Sequence, residues 1–155
     1  MKHTLLALSL TLALVAQADH YWKGQGTTAD WSDTGNWING LDNGNTVFGG
    51  GKIGDLPEES YATFSSLYTS GQRLWVESNP RKMVTFGLGE GATADAGWTT
   101  THQSDPTWTI GTGRGGDLTI LGGTYTLPKG LYISTGGSTS SLTIKGGSIS
   151  AGGQI

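Results

Sequence analysis

The phrase LTILGGTYT, starting at Leu118, returns as LTIKGGSIS at Leu142. The second copy keeps the order of the first: an apolar residue, Thr, Ile, one further residue, a Gly-Gly pair, then alternation. Trp108 and Ile110 fall on Leu131 and Ile133, Leu118 and Ile120 on Leu142 and Ile144, and Tyr125 and Leu127 on Ile149 and Ala151, with an offset that barely changes. A nearly fixed period, within the range of roughly 20–50 residues typical of repeat architectures and carrying three short strands and no helix, predicts a solenoid. Each strand then stacks on its copy one turn later. Parallel neighbours lie about 4.8 Å apart, so residues one period apart sit directly above one another. The inward columns are apolar in both copies, and the expected core is Trp108, Ile110, Leu118, Ile120, Tyr125, Leu127, Leu131, Ile133, Leu142, Ile144 and Ile149.

The pairs Gly122-Gly123 and Gly146-Gly147 hold the same place in both copies, where the chain must turn sharply and a positive φ is free of a Cβ clash. Thr119 and Thr143 form a small outward polar column. Upstream, RLWVES, KMVTFG and TWTIG alternate with period two between Gly, Asn, Ser and Pro, as short strands do. The class is all-β. A short helix is the minority option for LPEESYATFSSLYTS, where Leu56, Ser60, Phe64 and Leu67 would share a face. An antiparallel sandwich also consists of short strands and Gly turns, but it does not require a phrase to recur in register.

The stretch from Met1 to Ala18 has the three-part pattern of a secretory leader: Lys2, an apolar run from Leu5 to Val15, and small residues at Ala16 and Ala18. Cleavage is expected after Ala18, leaving a secreted or cell-surface chain with no membrane span, because the run falls short of the roughly 20 apolar residues a span takes. The chain has no Cys, so disulfides do not staple it. A formal charge of -3 with no basic cluster argues against nucleic acid as a partner.

The C-terminal stretch LTILGGTYTLPKGLYISTGGSTSSLTIKGGSISAGGQI resembles the Gly- and Thr-rich repeats of autotransporter-like passengers and related bacterial surface β-helix proteins. YWKGQGTTADWSDTGNWING is similar to the module that precedes such repeats, matched at Trp22, Gly24, Trp31 and Asn36-Trp37. The resemblance implies a right-handed parallel β-helix on an exported bacterial protein, with no particular activity. It divides the chain into a leader (1–18), an aromatic N-terminal cap (19–50), irregular first coils (51–105) and repeat coils (106–155). Autotransporters carry a C-terminal membrane barrel, and relatives an apolar anchor; SISAGGQI is neither. The expectation is an incomplete solenoid, a piece of a longer protein or one reliant on a partner. Leu142, Ile144 and Ile149 would then lie at an open edge that further coils or self-association cover.

Catalytic patterns are sparse. His20 and His102 are the histidines after the leader, and neither belongs to an H-E-x-x-H or a recognisable Ser-His-Asp order. GTGRGG at Gly111 to Gly116 precedes a strand rather than a phosphate-holding helix, and GGGKIG around Lys52 lacks the remaining P-loop residues. Asp117, in a turn loosely like those of calcium-binding β-rolls, has Ser141 as its counterpart one coil later, so no acidic column forms. Arg114, Asp117, Lys129 and Lys145 do not recur from coil to coil, and Asp55, Glu58, Glu59, Glu77, Arg73, Arg81 and Lys82 follow no aligned spacing. The chain is expected not to be an enzyme and to need no cofactor or metal, and a polysaccharide lyase or hydrolase ranks third. The second option is a carbohydrate-binding module, with Trp22, Trp31 and Trp37 as a sugar platform and Asp30, Asp33 and Asn36 bonding hydroxyls. The first is that these tryptophans seal the end of a structural or adhesive solenoid whose partners are surface glycans or further coils.

Overall fold

A computed structural model describes residues 19–40, 45–48, 56–77, 81–112, 115–135 and 139–155. The expected leader at 1–18, the segment around Lys52 and Asp55, and Arg114 lie outside them. The chain is a β-solenoid of about four turns. Each turn contributes one strand to each of three parallel ladders. The first turn is β3 (Thr46–Phe48), β4 (Glu59–Phe64) and β5 (Leu67–Ser70), and the second is β6 (Leu74–Glu77), β7 (Lys82–Leu88) and β8 (Gly97–Thr100). The third is β9 (Trp108–Thr112), β10 (Gly116–Ile120) and β11 (Thr124–Leu127), and the fourth is β12 (Leu131–Thr135), β13 (Ser141–Ile144) and β14 (Ser148–Ala151). Two further strands precede them: β1 (His20–Trp22) lies parallel on β3, and β2 (Trp37–Ile38) runs antiparallel along β1.

The register of the repeated phrases is the one read from the sequence. Leu118 pairs with Leu142 and Ile120 with Ile144, Tyr125 with Ile149 and Leu127 with Ala151, and Trp108 with Leu131 and Ile110 with Ile133. The same columns continue upward into earlier turns, as Ser60–Val84–Leu118–Leu142, Ala62–Phe86–Ile120–Ile144 and Tyr68–Trp98–Tyr125–Ile149. The corners stack as well, through Gly97 N–H to Ser66 O (3.1 Å), Thr124 N–H to Ala96 O (2.9 Å) and Ser148 N–H to Gly123 O (2.9 Å). Backbone donors of the corners, which would otherwise be orphaned, thus join the ladders.

The helical option for the segment after Leu56 is corrected. Residues 59–64 and 67–70 form β4 and β5, and β4 alternates from exposed Glu59 to buried Ser60, Ala62 and Phe64. The β-branched and aromatic content, together with the parallel partner β7, outweighs a weak spacing of four. Burial along the expected core is uneven. Trp108, Ile110, Leu118, Ile120, Tyr125, Leu127 and Leu131 are buried, Leu142 and Ile149 are half-buried, and Ile133 and Ile144 are 37% and 50% exposed. Ile133 and Ile144 therefore keep their column positions without belonging to the buried core. Among the described residues each ladder ends at the fourth turn, so these side chains have a strand neighbour on one side only.

Candidate functional surfaces

The opposite end is closed by aromatic packing. Trp22, Trp31 and Trp37 are 1%, 1% and 3% exposed. Trp31 stacks on Phe64 at 5.0 Å and meets Trp37 edge-on at 4.9 Å, while Trp22 meets Trp37 edge-on at 5.0 Å and stacks on Phe48 at 5.4 Å. Edge-to-face and offset contacts of this kind are the favoured geometries of aromatic quadrupoles. The Trp37 indole N–H donates to Trp31 O at 2.8 Å, whereas the indole nitrogens of Trp31 and Trp108 are buried with no hydrogen-bond partner among the described residues. Apolar burial fixes these two rings despite the cost of an unpaired N–H. No ring face of Trp22, Trp31 or Trp37 meets solvent, so the sugar platform built on them is corrected: the rings are the terminal core of the solenoid.

Asp30, Asp33 and Asn36 hold the loop that carries these rings. The Asp33 carboxylate accepts from Thr28 N–H (2.9 Å), Gly35 N–H (2.9 Å) and the Thr27 hydroxyl (3.0 Å). Those donors, the Thr28 and Gly35 amides foremost, pull its pKa from 3.8 to about 2. The buried Asn36 side chain accepts from Gly26 N–H (2.8 Å) and donates to Thr28 O (2.8 Å) and Asp30 O (3.0 Å). Asp30 accepts from Ser32 N–H (2.9 Å) and Ser65 N–H (3.0 Å), tying the loop to the corner after β4. Partial burial pushes the Asp30 pKa up, but the hydrogen bonds from Ser32 and Ser65 outweigh it and hold the carboxyl below its ordinary value.

A second surface is the outward face of β4, β7 and β10. It forms an open groove of about 610 Å³ whose lining includes Glu59, Tyr61, Met83, Thr85, Asp117 and Thr119. Across its rim Arg81 binds Asp117 through two hydrogen bonds, Nε to Oδ2 and Nη2 to Oδ1, both 2.7 Å, and the Ser141 hydroxyl adds a third at 2.6 Å. The Arg81 hydrogen bond is the main reason the Asp117 carboxyl sits below its usual range. Both oxygens of the Asp117 carboxylate are thus engaged by protein donors. Beside the groove, buried Lys82 donates to Leu56 O (2.9 Å) and Pro57 O (3.0 Å), and its burial lowers its pKa. His20 pairs through Nδ1 with Asn39 O (3.1 Å), and His102 through Nδ1 with Gly71 O (2.9 Å).

Sequence spacing brings neither Arg81 to Asp117 nor Tyr61 to the groove, because the turns between them differ in length. The outward rows are nevertheless regular. Tyr61, Thr85, Thr119 and Thr143 share one row, and Thr69, Thr99, Thr126 and Ser150 another. On the third ladder the outward row runs Tyr21, Val47, Trp75, Thr109, Tyr132. No family model, no curated protein and no solved structure matches the chain.

Proposed function

We propose that this chain is an exported, non-catalytic β-solenoid segment that serves as a structural or adhesive part of a bacterial cell-surface or secreted protein, of the autotransporter-like kind its repeats resemble. The observation that supports this most is the pair of hydroxyl rows on the outside of the stack, one of them Thr69–Thr99–Thr126–Ser150. Thr69, Thr126 and Ser150 are exposed, and register sets successive members of the row at the strand spacing of about 4.8 Å. A regular polar surface on a rigid stack suits repeated weak contacts with an extended partner. The outer edges of β13 and β14, each with a single ladder partner, offer further coils a place to continue the ladders.

The full chain expressed in a bacterial host tests this. Export is expected to yield a mature N-terminus at Asp19, and beads coated with the product should adhere to cell or polysaccharide surfaces. Double substitution of Thr126 and Ser150 by Lys should reduce adhesion without loss of folding. An uncleaved cytoplasmic chain, or release of cleaved sugars from polysaccharide, would overturn the proposal.

A further inference from the structure

The outward row of the six-stranded ladder carries aromatics at every second strand. Register places Tyr21 on Val47, Val47 on Trp75, Trp75 on Thr109 and Thr109 on Tyr132. Leu74 and Val76 on either side of Trp75 are buried in the core, as is Leu131 beside Tyr132, so both rings belong to the outer face. Tyr21, Trp75 and Tyr132 are half-buried, whereas the smaller residues between them, Val47 and Thr109, are 0% and 5% exposed. The rings therefore stand above short side chains that fill the spaces between them. Two strand spacings amount to about 9.6 Å, close to the disaccharide repeat of an extended β-1,4-linked glycan. In such a glycan every second pyranose presents the same face. Polar groups flank the rings: the Arg73 guanidinium lies 5.3 Å over the Trp75 ring with its Nε donating to Pro106 O (3.3 Å), and Asp105 lies 3.4 Å from the Tyr132 hydroxyl. Tyr132 also lines a recess of about 270 Å³ with Leu131, Ile133, Gln154 and Ile155.

The geometry points to this row as a binding site for an extended β-1,4-linked glycan, whose alternate rings stack on Tyr132 and on the face of Trp75 away from Arg73 and continue toward Tyr21. Arg73 orients the Trp75 ring and turns its remaining N–H groups to sugar hydroxyls, since a guanidinium has more donors than the one Pro106 bond uses. The site deepens the adhesive proposal by naming a ligand class, and it lies on a different ladder from the two hydroxyl rows.

Calorimetric titration of the purified full chain with cellohexaose, chitohexaose and maltohexaose tests it. One or both β-1,4-linked hexamers should bind, which identifies the sugar, while the α-linked maltohexaose, which coils, should not. The corresponding disaccharides should bind at least tenfold more weakly, because they reach only one ring. Trp75→Ala and Tyr132→Ala should each weaken binding by about tenfold, with thermal melting of the Tyr132 variant reporting whether the fold is intact. Trp75→Phe should recover much of the loss. No binding of either β-linked hexamer, equal binding of maltohexaose, or wild-type affinity in both alanine variants would overturn the assignment. Export and bead adhesion that persist without hexamer binding would leave the adhesive proposal standing and remove this one.

Discussion

The two ends of the stack follow one rule of strand pairing but differ in what covers their cross-section. At the first end β2 turns back antiparallel along β1, and Trp22, Trp31 and Trp37 fold over the interior until none is more than 3% exposed. At the last turn Ile133 and Ile144 occupy equivalent inward columns yet are 37% and 50% exposed. A side chain in a solenoid is thus buried by the turn above it as much as by its own ladder. Sequence position within the turn sets direction, and position along the stack sets burial.

The sharpest way to break that contrast is to hollow out the closed end. Trp31 touches Trp22, Trp37, Phe48, Phe64, Tyr68, Phe86 and Trp98, so Trp31→Ala removes the hub of the aromatic cluster. A loss of about 3–5 kcal/mol is expected in urea unfolding. A loss below about 1 kcal/mol would show that the aromatic end is dispensable. The contrast is tested most directly within the repeated phrase itself. Ile120→Ala empties a fully buried position and should cost about 2–5 kcal/mol. Ile144→Ala, one turn later at the same column, should cost under about 1 kcal/mol. Equal losses would mean that the last turn is covered in solution.

The difference between the two regions also explains what the sequence made legible. Turns three and four are related by almost one fixed offset on all three ladders, so their register follows from the repeated phrase alone. Between turns two and three the offset is no longer shared: the steps from Leu74 to Trp108 and from Val84 to Leu118 are longer than the step from Trp98 to Tyr125. Added corner segments such as the one between β7 and β8 change the period while leaving the ladders intact, because a corner can bulge outward without disturbing strand stacking. The Arg81–Asp117 pair and the Tyr21–Trp75–Tyr132 row cross these variable steps, which hid them. Only the Thr109-to-Tyr132 step lay within the readable half. The terminal tryptophans were legible as a seal for the end of the stack, the first of the two readings, but composition does not say which side of a ring meets water, so the sugar platform stood beside it.

A smaller effect is expected at the corner of the fourth turn. Gly147 has φ +78, and a Cβ there would press on the carbonyl oxygen of Gly123 in the turn beneath. Gly147→Ala should therefore cost about 1–3 kcal/mol, read as a lowered urea midpoint. It should also speed hydrogen exchange in β14 while sparing the closed end. Uniform loss of protection would show that the last turn unfolds together with the rest.

The gentlest perturbation returns to the closed end through its loop. Asp33 is ionised down to about pH 2 in the folded chain because the Thr28 and Gly35 amides and neighbouring hydroxyls donate to it, against an ordinary value of 3.8. A carboxyl whose folded pKa is depressed favours the folded state wherever it is ionised in both states, so its contribution is complete above about pH 3.8. It is lost as pH falls toward about 2, where the folded form also takes up the proton. Asp33→Asn keeps the shape but removes the titration, so the difference in stability between wild type and variant should shrink over that window and be flat above it. Trp fluorescence followed during acid titration measures this, since the loop carries Trp31 and Trp37. A difference that stays constant from about pH 5 to about pH 2 would show that the carboxylate's charge does not help to hold the closed end.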